Sequence, residues 1–198
     1  MPMNSYCLDT PLLACVLLSR LSDQKDSIPI LLPLAQSYIS LAHSGVKIGK
    51  DTHNRFWILH AIRGRWEAAE REQIIKNTAI ADKAAHGLLI KTKIEQEGGS
   101  GGKESADNTI KNLAGLRVSK DRPTGDKALR ADPFAAQVNV GNVYMVPAVW
   151  NNDYLSEMEF FPNSTFKDQM DASSGAFNDI NGKMVVGGVA WATARRTG

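Results

Sequence analysis

The chain has 198 residues and a formal net charge of +2, with 23 basic and 21 acidic side chains. This length suits one domain whose core is large enough to be stable without disulfide bonds or structural metals. A net charge this small does not by itself indicate nucleic-acid binding. The two cysteines, Cys7 and Cys15, both lie near the N-terminus, which excludes a disulfide framework or a CxxC zinc site in the main body. We therefore expect a cytoplasmic protein.

The first 43 residues differ in composition from the rest of the chain. Residues 11–18 and 28–42 are apolar, but both runs are shorter than the roughly 18 residues that a membrane span needs. Pro29 and Pro33 interrupt the second run, and no basic segment precedes the first. We expect no contact with a membrane and treat residues 1–43 as an atypical N-terminal segment.

From residue 44 onward, segments of strand and helix character alternate. Gly45 to Lys50 and Arg55 to Ile62 read as a hairpin joined through Asp51 to Asn54. Helical spacing or helix-ending glycines predict five helices, at residues 66–85, 102–114, 126–139, 151–160 and 166–180. Short β-compatible runs predict three more strands, at residues 88–95, 116–119 and 143–146. This order favours an α/β fold with a mixed sheet flanked by helices. Residues 181–198 form a glycine-rich C-terminal tail.

The stretch Leu88 to Ser105 organises these elements. It reads as a strand that ends in Glu95 and Glu97, then a glycine loop, then a helix. Two acids two residues apart on a strand point the same way, and the carboxyl edge of an open α/β sheet is where ligands usually bind. The loop lacks the spacing of a P-loop, because Lys103 is followed by Glu104. Lys103 either contacts a phosphate or is a solvated lysine of the first turn.

A second acidic pair, Asp168 and Asp171, lies on one face of the last predicted helix. Cleavage of a phosphodiester by two divalent metals needs carboxylates that converge from several segments. Glu95 or Glu97 together with this pair supplies two of three such segments.

From Gly45 to Ile180 the chain resembles the C-terminal nuclease domain of tailed-phage terminase large subunits, which cut concatemeric DNA during genome packaging. The pieces that carry the resemblance come in the family's order: GVKIGKD, RFWILHAIRGRW, KIEQEGGSGGKESAD, PTGDKALRADPFAAQVNVGNVYMV, SEMEFFPN and DQMDASSGAF. The resemblance implies an RNase H-like fold over residues 44–180 with two Mg2+ or Mn2+ ions. It also implies double-stranded DNA as substrate, and the portal and the small terminase subunit as partners, in the cytoplasm of a bacterial host.

The resemblance also implies roles for individual residues. Glu95 and Asp168 are the expected catalytic acids, and Glu95, Asp168, Asp171 and, as a weaker alternative, Glu97 are the expected metal ligands. Lys127 and Arg130 match positions expected to meet DNA phosphates, with Lys103 as a further candidate. Two plain alternatives stay open: Asp171 has only a structural pairing role, and Lys127 and Arg130 form a solvated helix face.

Two departures from the family pattern weaken the catalytic prediction. The family's first acid lies on the strand that opens the domain, and nothing in residues 1–44 reproduces it; Asp23 and Asp26 are poor substitutes in a polar segment. Lys167 stands where the family's acidic pair begins. We therefore expect a metal-dependent endonuclease, active or impaired, with its opening strand missing. The alternative is a catalytically inactive prophage remnant that at most binds DNA or takes part in assembly.

Overall fold

The computed structural model describes residues 44–122, 126–161 and 163–181, and the backbone of residues 35–40. Six strands and five α-helices follow one another in these parts of the chain: β1 (Ala35–Ser40), β2 (Ser44–Lys50), β3 (Phe56–Arg63), α1 (Ala68–His86), β4 (Ile90–Glu95), α2 (Gly99–Asn112), β5 (Val118–Asp121), α3 (Lys127–Asn139), β6 (Val143–Met145), α4 (Asn151–Phe160) and α5 (Asp168–Asn181). No helix in these parts is long and apolar enough to cross a membrane.

The strands form a single mixed sheet in the order β5-β4-β1-β2-β3-β6. β2 is antiparallel to both of its neighbours, and the other pairs are parallel. The carboxyl ends of β1, β3, β4, β5 and β6 therefore all meet at one edge of the sheet. The predicted α/β fold with a mixed sheet flanked by helices is confirmed.

The expectation that the opening strand is missing is wrong. β1 lies near the centre of the sheet, where Tyr38 pairs with Lys47 of β2 on one side and with Thr92 of β4 on the other. Because backbone hydrogen bonds on both sides hold this strand, β2 and β4 are not left as open edges. β1 also precedes residue 44, where the predicted nuclease domain begins.

The helices cover both faces of the sheet. On one face α3, α4 and α5 bury the larger core, whose biggest fully buried side chains include Phe134, Tyr154 and Phe177. On the other face α1 and α2 bury a smaller core against Ile94 of β4. Since alternate residues of a strand face opposite ways, Lys47 of β2 points away from the larger core, and its ammonium lies 2.6 Å from Asp82 of α1.

The hairpin of β2 and β3 is held by Asp51. Its buried carboxylate accepts hydrogen bonds from the backbone N–H groups of His53 (2.8 Å) and Arg55 (2.9 Å), and from the indole N–H of Trp57 (3.0 Å). Burial alone would raise the pKa of Asp51, but these hydrogen bonds and that from the Arg55 side chain outweigh it and lower the pKa. The predicted hairpin is confirmed, with the turn residue Asn54 in the left-handed region at a φ of 61°.

The glycine stretch after β4 differs from its prediction. Leu88 belongs to a short 3-10 turn, Gly87–Leu89, so the strand starts only at Ile90. Gly99, Gly101 and Gly102 lie in the first turn of α2 rather than in a loop. A Cβ on Gly102 would lie 2.3 Å from the carbonyl oxygen of Glu97, so a glycine is needed for helix α2 to begin this close to the end of β4.

Candidate active site

Glu95 ends β4 on the side of the strand that faces α5. Side chains alternate along the strand: Ile90, Thr92 and Ile94 are buried, and Lys91 and Lys93 reach Asp179 of α5 at 3.3 and 3.5 Å. Glu95 follows the two lysines on the same side. The strand therefore presents two ammonium groups and then one carboxylate to α5.

Asp171, in the first turn of α5, is buried and engages two cations of α3. Lys127 Nζ lies 2.9 Å from Oδ2, and Arg130 Nη2 donates a hydrogen bond to Oδ1. Both oxygens of this buried carboxylate are therefore held by cations of α3. The Arg130 side chain is 22% exposed in this contact, whereas that of Lys127 is 54% exposed, so the alternative of a solvated helix face stays open for Lys127. The pairing alternative for Asp171 describes the observed contacts.

Glu95 and Asp171 lie close enough for their charges to interact. Burial and the negative charge of Asp171 raise the pKa of Glu95 to about 7, against the opposing effect of Lys127 and Arg130. Burial alone would lower the pKa of Lys127, but its contact with Asp171 and the charges of Glu95 and Asp168 outweigh it and raise the pKa. The acids of β4 and α5 and the cations of α3 therefore form one electrostatic cluster, which we call the acidic site: Glu95, Lys127, Arg130, Asp168 and Asp171.

Asp168 lies at the edge of the acidic site. It is the first residue of α5, is partly exposed, and lines a cleft next to Arg63 and Phe166. Its negative charge contributes to the raised pKa of Lys127. The structure thus brings Asp168 near the α3 cations, while the deeper position beside Glu95 is held by Asp171.

Two other predicted residues are placed outside this cluster. Glu97 lies beyond the end of β4 and is exposed, so the prediction that it shares a strand face with Glu95 is wrong. Lys103 is exposed, four residues after the start of α2, where its charge acts on Asp107. The metal role of Glu97 and the DNA contact of Lys103 stay predictions without support from their surroundings.

The donor set decides how many divalent ions the acidic site could hold. β1 reads AQSYIS and contributes no carboxylate, Asp23 and Asp26 lie outside the described residues, and within those residues no group of three or more His, Cys, Asp or Glu side chains could hold a metal. Mg2+ is commonly held by one or two carboxylates plus water and substrate oxygens. Glu95 and Asp171 therefore supply carboxylates for one such ion but not two, and Asp171 Oδ2 becomes available to it only when the Lys127 ammonium, 2.9 Å away, moves off.

Glu157 is a residue that the sequence did not single out. Its side chain is fully buried in α4 and caps the start of α5: Oε1 accepts from the backbone N–H of Gln169 at 2.7 Å and of Met170 at 3.2 Å. Oε2 accepts from the Gln169 side chain at 2.8 Å and lies 3.4 Å from Arg63 Nη1. Because α5 carries Asp168 and Asp171, Glu157 sets the position of both. Only the SEMEFFPN stretch, quoted above for its resemblance, pointed toward it.

Two solved structures with TM-scores above 0.5 support the fold, and a third similar structure has a TM-score just below 0.5. Two structures of the human cytomegalovirus terminase nuclease domain match: a manganese-soaked form with a TM-score of 0.52 at 12% identity, covering 75% of this chain and 83% of that chain, and a second with a TM-score of 0.52 at 14% identity, covering 72% and 80%. The zinc-bound large terminase nuclease of thermophilic phage G20c matches with a TM-score of 0.49 at 14% identity, covering 72% and 81%. No curated protein sequence matches the chain.

The sequence comparison extends over most of the described residues. The sequence profile of the family described as "Terminase RNaseH-like domain" matches residues 44–179, from the start of β2 almost to the end of α5. The span holds Glu95, Lys127, Arg130, Asp168 and Asp171, and the order of its elements is the one described above. The chain therefore belongs to the terminase RNaseH-like domain family.

Proposed function

We propose that this chain is a terminase nuclease domain that cuts double-stranded DNA during genome packaging in the cytoplasm of a bacterial host. The observation that carries the proposal is the juxtaposition of Glu95 and Asp171 at the carboxyl edge of the sheet, flanked by Lys127 and Arg130. Family membership and a fold shared with nuclease domains support it. The portal and the small terminase subunit are the proposed protein partners.

The acidic site supplies two functions that such cleavage needs. Two carboxylates that repel each other favour a divalent cation, because the cation relieves the repulsion that raises the pKa of Glu95. Lys127 and Arg130 offer cations for the DNA phosphates on either side of the cut. The proposed cofactor is Mg2+ or Mn2+; a manganese-soaked structure of the cytomegalovirus domain is in line with this. Such an ion would polarise the scissile phosphate and lower the pKa of a bound water.

We expect the cleavage to be slow and to leave mainly nicks. The described carboxylates fit one ion, so stabilisation of either the attacking or the leaving oxygen is lost relative to a two-ion centre. In addition, Lys127 and Arg130 engage both oxygens of Asp171. Binding of DNA phosphates to these cations would draw them away and make the Asp171 oxygens available.

The second candidate function is DNA binding or assembly without cleavage. It is favoured by the absence of a carboxylate on β1 and by the engagement of both Asp171 oxygens by cations. In that case Lys127 and Arg130 would keep their DNA contacts while the acids serve only to position them.

Nicking of supercoiled plasmid in Mn2+ or Mg2+ separates the two candidates. We expect the wild-type chain to convert plasmid to open circles, and Glu95→Ala to lower the rate by about 100-fold, since carboxylates that hold or orient a metal commonly matter by this much. Glu97→Ala is the matched control, because that carboxylate is two residues away and exposed; it should nick like the wild type. EDTA should abolish nicking by both proteins.

DNA binding is measured separately by fluorescence anisotropy with a blunt duplex in EDTA. Lys127→Ala should weaken binding of all duplex sequences equally. It should also make the dependence of the logarithm of the binding constant on the logarithm of the salt concentration less steep, by about 1. Binding without nicking would leave the second candidate as the function. Neither binding nor nicking by a folded protein would refute both.

A further inference from the structure

A cleft of about 830 Å3 opens beside the acidic site, between the loop after β3 and the start of α5. Its walls include two arginines, two aromatic rings and two aspartates: Arg63, Arg65, Trp66, Asp153, Phe166 and Asp168. The volume lies in the range of sites that bind small molecules. Of these residues only Asp168 belongs to the acidic site, so the contacts proposed above for metal and duplex DNA do not account for the cleft.

The aromatic walls of the cleft are held in place. The indole of Trp66 lies against the backbone of Gly64 so closely that a Cβ there would be 2.5 Å from the ring, so only glycine permits this position. The ring of Phe166 lies under the Arg63 guanidinium, 4.6 Å from the ring centroid. Arg63 is in turn tied to the buried Glu157. The Trp66 ring is thus packed in place before any ligand arrives, which lowers the cost of binding, and the Phe166 ring is covered on one face by Arg63.

The two arginines of the cleft differ in their partners, since Arg63 pairs with Glu157. Arg65 is exposed and, within the described parts of the chain, has no ion pair or hydrogen bond, so its guanidinium is available to a phosphate. Glu67 and Asp153 also line the cleft. These two carboxylates repel phosphates, so the cleft is unlike a groove that binds the phosphates of a duplex along its whole length. They suit a base, because carboxylates accept hydrogen bonds from exocyclic amino groups.

The sheet topology places the cleft next to the proposed cut. β3 and β4 point the same way with β1 and β2 between them, so the end of β3 at Arg63 lies on the same edge as Glu95. Three strand spacings separate β3 from β4, roughly 14 Å. Asp168 belongs to both the cleft and the acidic site.

We infer that the cleft binds one or two unpaired nucleotides of a DNA strand adjacent to the cleaved phosphate, an inference that rests on the proposed function. Arg65 holds a phosphate, Trp66 and Phe166 offer stacking surfaces to the bases, and Asp153 or Glu67 accepts from a base amino group. Aromatic stacking combined with a cation is how proteins hold single strands without strong sequence preference.

Anisotropy titrations in EDTA compare a blunt duplex with the same duplex carrying a gap of three unpaired nucleotides. We expect the wild type to bind the gapped DNA more tightly than the blunt DNA. Trp66→Leu should reduce binding of the gapped DNA roughly 5- to 30-fold, an effect typical of removing a stacking residue. Arg65→Ala should reduce it through loss of a phosphate contact, and both variants should change binding of the blunt duplex little. Phe160→Leu and Lys76→Ala are the matched controls, since both side chains are exposed and neither lines the cleft.

The outcomes of this experiment separate the inference from the proposed function. Equal affinity of the wild type for gapped and blunt DNA overturns the inference while leaving duplex binding and nicking intact. A preference for gapped DNA that survives in both cleft variants also overturns it. If the wild type binds neither the gapped nor the blunt DNA, the proposed function itself is refuted. Circular dichroism of each variant checks that the fold is kept, and Arg65→Lys, which keeps the charge, should bind gapped DNA better than Arg65→Ala.

Discussion

Replacement of Glu157 by alanine tests how the start of α5 is held. The change removes a fully buried carboxylate that accepts from two backbone N–H groups of α5 and from the Gln169 side chain, and that pairs with Arg63. Loss of a helix cap typically costs about 1 kcal/mol, and a buried donor left without a partner costs about 1 to 3 kcal/mol. Because Arg63 is partly exposed, its share is small. We expect the free energy of unfolding to fall by about 3 kcal/mol.

Two further variants rank the contributions to this loss. Glu157→Gln keeps an acceptor for Gln169 N and Met170 N but turns an amide N–H2 toward the Gln169 side chain and Arg63, so its cost should be smaller, about 1 to 2 kcal/mol. Glu159→Ala, on the same helix, removes a carboxylate with no ion pair or hydrogen bond to the described residues, and should stay within about 0.5 kcal/mol of wild type.

The assay is urea unfolding followed by circular dichroism, with the midpoint and slope fitted for each variant. An Ala variant at position 157 that loses less than about 1 kcal/mol, or no more than the variant at 159, would refute the capping argument. It would mean that α5 begins at Asp168 through its own packing, and that Glu157 is not what positions the acids.

Other consequences concern the acidic site and the start of α2. Since the pKa of Glu95 is raised in the folded state, this group binds more protons in the native protein than in the unfolded chain between about pH 4.5 and 7. Its contribution to stability in EDTA should therefore fall as the pH rises through this window, so the stability of Glu95→Gln relative to wild type should increase with pH over the same range. Lys127→Ala removes a charge that lowers the pKa of Glu95, so carbon-13 NMR of the carboxyl should report a pKa above that of wild type; an unchanged value would contradict the coupling. Gly102→Ala should destabilise by about 1 to 3 kcal/mol through the clash with the Glu97 carbonyl. Its neighbour Gly101, with open space at the Cβ position, should accept alanine at no cost in thermal melts.

Much of the fold could be predicted because its signals are local. The β2–β3 hairpin, helix α3 beginning after Asp126, and helix α4 at Asn151–Phe160 follow from alternation, helical spacing and end signals within a few residues. β1 was missed because AQSYIS shows no regular alternation and stands beside the atypical segment. Its place in the sheet comes from backbone pairing with β2 and β4, which leaves no mark on the side-chain pattern.

The amino-acid sequence by itself determined which acids are available and that Glu95 ends a strand at the edge of an α/β sheet. Tertiary structure alone decided their surroundings. Arg130 meets Asp171 across 41 positions and Arg63 meets Glu157 across 94. Such contacts depend on how helices dock on the sheet, since burial and neighbouring charge, not residue type, set the pKa of Glu95 and the partners of Asp171.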